Sequence, residues 1–102
     1  MYLIHAHLTA SSGAFLPGGA AAIVRGYARP EERVEYVSAH PEGFPQPVLG
    51  LYLLSGSQQE AERAAEAVCR RALSASPELR DFVLLACRAA APRALREPSA
   101  ER

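Results

Sequence analysis

One segment restricts the architecture more than any other. Ser57-Gln58-Gln59-Glu60 has the spacing of a capping box, in which a hydroxyl and a carboxylate three residues apart satisfy free amides at a helix start. The spacing predicts a helix to about Ala75, with Ala61, Ala64, Ala65, Val68, Cys69, Ala72 and Leu73 as its apolar stripe. A stripe made mostly of Ala has little relief, so it packs close and flat, as a helix does on a sheet. Glu62, Arg63, Glu66, Arg70 and Arg71 are read as the solvated side, with Glu66 and Arg70 paired one turn apart.

The sheet that this helix needs is written in period-two segments. Tyr2, Ile4, Ala6 and Leu8 alternate with Leu3, His5, His7 and Thr9, which predicts a first strand. Arg33 to His40 predicts a second, with Val34, Tyr36, Ser38 and His40 on one side. Pro41, Gly43, Pro45 and Pro47 mark a loop, because proline at that density leaves no regular hydrogen-bonded backbone. Val48 to Leu54 is a third strand, and Leu79 to Arg88 a fourth. The run Phe82 to Cys87 in that fourth strand is unbroken enough to expect cover on both faces. A short helix is expected over about 17–28 after Pro17; a hairpin from 22 to 40 is its rival, because Gly26 weakens a helix and Ile23-Val24 suits a strand.

The order is β-α-β-β-α-β in a chain of 102 residues, which has room for one core. The expected fold class is α+β: a ferredoxin-like sandwich, with a four-stranded antiparallel sheet and both helices on one face. It spans residues 1–91, and residues 92–102, polar and proline-punctuated, form a flexible C-terminal tail. By element order and length the chain resembles the ferredoxin-like superfamily and is similar to the dimeric α/β-barrel proteins within it, among them antibiotic-biosynthesis monooxygenases and stress-responsive barrel proteins. The monooxygenase resemblance implies active-site Asn and Trp, and this chain contains neither residue type, so no catalytic residue is carried over. Amino-acid-sensing regulatory domains share the same order.

Charge and composition remove several functions. Eleven basic residues balance eleven acidic ones, so the excess positive charge that drives nucleic-acid binding is missing. No apolar run reaches the roughly 18 to 20 residues that cross a bilayer, and Met1 to Ala10 has no basic region ahead of its apolar residues. A cytoplasmic protein that binds neither nucleic acid nor membrane is expected. Cys69 and Cys87 have no metal-site or redox-motif spacing and read as reduced, packed thiols. Asp81 is the only Asp, so no Ser-His-Asp arrangement can be assembled, and Gly18-Gly19 completes no phosphate loop. No cofactor is expected.

With Tyr2, Ile4, Ala6 and Leu8 under the helices, the opposite face of the sheet should carry His5, His7, Tyr36, His40, Tyr52, Phe82, Leu84 and Arg88. Such a face is too apolar to stand bare in water. The expectation is a small homodimeric accessory or ligand-binding protein that self-associates through this face, with room for a small, partly aromatic ligand. The candidate ligand-binding residues are His5, His7, Tyr36, His40, Tyr52 and Arg88, with Arg88 placed to hold an anionic group. One alternative is a cofactor-independent oxygenase or cyclase-like enzyme with a histidine acid/base; another is a regulatory or adaptor module that binds a protein partner along an edge strand. In the competing account the imidazoles are hydrogen-bonded or solvated and carry no chemistry. A metal site would need His5, His7 and His40 together, from strands separated by a third, and no metal is assigned.

Overall fold

The computed structural model describes residues 1–10, 12–41 and 46–90. Four strands, β1 (Tyr2–Ala10), β2 (Val34–His40), β3 (Val48–Leu53) and β4 (Phe82–Ala89), form one antiparallel sheet in the order β2-β3-β1-β4. Two helices, α1 (Ala20–Gly26) and α2 (Gln58–Ala75), pack on one face of it. Short 3-10 turns at Pro30–Glu32 and Pro77–Leu79 lead into β2 and β4. The molecule is therefore of the α+β class. No helix is long and apolar enough to cross a membrane among the described residues.

Helix α2 begins as its sequence requires: Ser57 is extended, and its hydroxyl accepts the Glu60 N–H at 3.1 Å. Ala61, Ala65, Val68, Cys69 and Ala72 are fully buried against Ile4, Ala6, Leu8, Leu49, Leu51 and Leu53. Ala64 and Leu73 flank this stripe as partly buried neighbours. Helix α1 adds Ala20 and Val24 to the same core. The segment is helical rather than a hairpin, and shorter than 17–28: Pro17 to Ala20 is a turn, Gly19 offers no side-chain cap, and the chain leaves the helix at Tyr27.

Two charges expected at the solvated surface of α2 are built into the fold instead. Arg71 forms a bidentate pair with Glu32, at 3.1 and 2.8 Å, and also donates to the Tyr27 carbonyl, which fixes the α1–β2 connection to α2. Glu62 Oε2 accepts the Ala89 N–H of β4 at 2.8 Å. Glu66 and Arg70 do pair at the surface, at 2.8 Å.

Strand β4 also departs from expectation. The register opposes Ala6 to Cys87 and His7 to Ala86, then Leu8 to Leu84, so Leu85 is an extra residue in a bulge. The bulge reverses the alternation and turns Phe82 and Leu84 to the helix-covered face, away from the open face where strict period two put them. Nor is β4 covered on both faces, since Val83 and Leu85 are 57% and 51% exposed. A second bulge, at Glu35, puts Val34 opposite Leu53 on the core side and not beside Tyr36. The tail expected at 92–102 lies outside the described residues.

Candidate functional site: the open face of the sheet

Register places the six candidate residues together on the face that neither described helix covers. In one lateral row Arg88, His5, Gly50 and Ser38 lie side by side across β4, β1, β3 and β2. Ala86, His7, Val48 and His40 form the next row on one side, and Leu3, Tyr52 and Tyr36 the next on the other. Neighbouring strands lie about 4.8 Å apart, so β1 and β2, with β3 between them, stand roughly 10 Å apart at the backbone. Thr9 and Val83 extend the face toward the sheet end.

Contacts within the face are specific. The His5 and His7 rings stand edge-on, with centroids 6.3 Å apart and planes at 88°. Tyr36 and Tyr52, directly opposite on β2 and β3, have centroids 5.8 Å apart, a cross-strand aromatic pair. Ser38 Oγ lies 3.1 Å from His40 Nε2. Gly50 permits this arrangement: a Cβ at that position would sit 2.8 Å from Ser38 Oγ and 3.4 Å from Leu3 Cδ1. Side chains of the flanking strands thus lean into a notch at the centre of the sheet, which only glycine leaves open.

None of the strand residues in register on this face is Asp or Glu. Its ionisable groups are three imidazoles, two phenols and the Arg88 guanidinium. Burial holds the His5 imidazole below its ordinary pKa, and the charges of His7 and His40 act in the same direction. His5 is therefore neutral at pH 7, able to accept a proton or a hydrogen bond at one ring nitrogen and to donate from the other.

The three histidines lie near one another without forming a cage. Among the described residues, no group of three or more His, Cys, Asp or Glu is placed to hold a metal ion. Ser38 and His40 form a hydroxyl–imidazole pair that sequence reading passed over, although both had been placed on one side of their strand. The pair has no carboxylate behind the imidazole among the face residues, so it lacks the third member that orients a nucleophile's base.

Grooves open elsewhere. One of about 450 Å³ lies between α2 and β4, lined by Arg70, Leu73, Ser74, Phe82, Val83 and Leu84. Another, of about 440 Å³, lies between α1 and β2 and includes Tyr36, the only one of the six candidates to line either groove. The remaining five stand on the open sheet surface, outside both grooves. Compared with protein-family models, with curated proteins and with solved structures, the chain matches none.

Proposed function

We propose that the protein is a ferredoxin-like homodimer whose two open sheet faces meet and hold a small, partly aromatic anion between them. The fold reading draws on the strand order, which from the β4 edge runs β4-β1-β3-β2, the order expected of a split β-α-β sandwich with both helices on one side. One observation carries the functional reading: a bare sheet face gathers His5, His7, His40, Arg88, Tyr36 and Tyr52 in three adjacent rows with no carboxylate among them. Such a surface offers cationic and hydrogen-bonding groups to an anion and aromatic faces to a ring. Tyr36, 58% exposed, and the bare Val83 and Leu85 supply apolar area for self-association.

Native mass spectrometry of the purified chain tests both parts of this proposal. A dimer with added small-molecule mass supports both, and a bare dimer supports self-association alone. A bare monomer at micromolar concentration overturns the dimer and leaves the face to a protein partner, the adaptor reading.

The neutral His5 favours a second reading, an enzyme that uses this imidazole as acid/base in the enclosed space. His5→Ala then abolishes turnover of the bound compound while the dimer mass persists. In a pure binding protein the same substitution changes affinity alone.

A further inference from the structure

Two nucleophilic groups, Cys69 and Cys87, lie away from the open face. They sit in the seam between α2 and β4, which is fastened at both ends. At one end Glu62 Oε2 accepts the Ala89 N–H at 2.8 Å. At the other, Leu73 faces Phe82 and Leu84 across the groove. Helix and strand therefore run side by side in opposite senses, Glu62 to Leu73 along one and Ala89 to Phe82 along the other. Between these ends, the buried stripe of α2 presents Cys69 and the core face of β4 presents Cys87, opposite Ala6. The two thiols, both free, are near enough that each is the largest influence on the other's ionisation.

We propose that Cys69 and Cys87 are a latent intramolecular disulfide, closed by a small disulfide oxidant and fastening edge strand β4 to α2. The thiols are inequivalent. The neighbouring Cys69 draws the Cys87 thiol below its ordinary pKa, whereas Cys87 and then burial push Cys69 up. Cys87 is also the more exposed of the two. The Cys87 thiolate attacks one sulfur of the oxidant RSSR, forming a mixed disulfide and releasing one thiolate RS⁻. The Cys69 sulfur then attacks the Cys87 sulfur, its proton passes to the departing second RS⁻, and the Cys69–Cys87 bond forms. The protein loses two electrons and two protons, and the oxidant becomes two RSH. The proposal depends on neither the dimer nor its ligand.

The test is incubation of the full chain with oxidised glutathione, followed by denaturation, alkylation of remaining thiols and intact mass measurement. The expected product is a single chain lighter by two hydrogens, with no alkylated thiol and a cross-linked peptide pair containing Cys69 and Cys87. Closing this loop should raise the melting temperature by roughly 5–15 °C. In Cys69→Ser the reaction should stop at a stable glutathione adduct on Cys87, and in Cys87→Ser no adduct should form. If Cys69→Ser does not fold, the peptide pair from the unaltered chain decides the matter. Two alkylated thiols, two separate glutathione adducts, or a bond between two chains would each overturn the proposal.

Discussion

The two faces of this sheet share strands and backbone but are built on different terms. On the helix side, Ile4, Ala6, Leu8, Leu49, Leu51 and Leu53 are wholly buried, and small Ala residues of α2 fit between them. On the other side the next residues along the strands are His5, His7, Gly50 and Tyr52, half-buried or set in a notch, with Ser38 bonded to His40 on the neighbouring strand. One face is closed by covalent connection, because its helices are part of the chain. The other is left open by the described elements. In β1 and β3, where alternation is unbroken, neighbouring residues thus belong to different environments, one set in the core and the other on the open face.

The strongest way to break that comparison is to truncate adjacent residues of β3. Leu51→Ala should cost about 2–5 kcal/mol in urea unfolding, through lost transfer energy and the cavity left behind. Tyr52→Ala should cost about 1 kcal/mol or less in the isolated chain, yet weaken self-association by about tenfold or more in sedimentation. Equal losses of stability from the two would end the distinction between the faces.

Acid separates them next. Because the His5 pKa in the folded chain lies below 6.5, the unfolded state binds the proton more tightly. The His5 contribution is complete above pH 6.5 and declines as pH falls through the lowered value, where a charged His5 would face Arg88, His7 and His40. Unfolding free energy measured against pH should fall in that window, and the fall should flatten in His5→Gln. The helix side responds only to stronger acid. Glu32 is held below the usual carboxylate range chiefly by its hydrogen bond to Arg71, so its contribution is present above pH 4.5 and lost as pH falls through its lowered pKa. Unfolding of Glu32→Gln should lack that low-pH component.

The finest test is Gly50→Ala. The added Cβ displaces the Ser38 hydroxyl and breaks its bond to His40, while the unfolded chain loses conformational freedom. These effects oppose each other, and net stability should move by less than about 0.5 kcal/mol. The His40 ring resonances should nevertheless shift in NMR spectra, since its partner has moved.

Sequence periodicity carried the reading wherever strands stay regular. His5 and His7 on one side of β1, Tyr36 and His40 on β2, and Tyr52 on β3 were all legible because two-residue alternation survives there. It failed at Phe82, Leu84 and Val34, where one extra residue in a bulge reverses every side chain beyond it, and no residue type announces such an insertion. Arg88 stayed legible because it lies beyond the bulge from Leu84. Arg71 was misread for a different reason: its partner Glu32 is distant in sequence, and helix periodicity reports only neighbours within the helix. The Gly50 notch is a property of three strands at once, so it became visible only with the register.

The sheet order also has a consequence in time. Strand β1 occupies an interior position between β3 and β4, although of the four strands it is made first and β4 last. Until the final strand is synthesised, one whole edge of β1 has no partner, and its apolar Ile4, Ala6 and Leu8 belong to a sheet that cannot close. The sheet therefore completes only after the segment carrying β4 has been made, and until then the open edge of β1 is a place where another chain could pair.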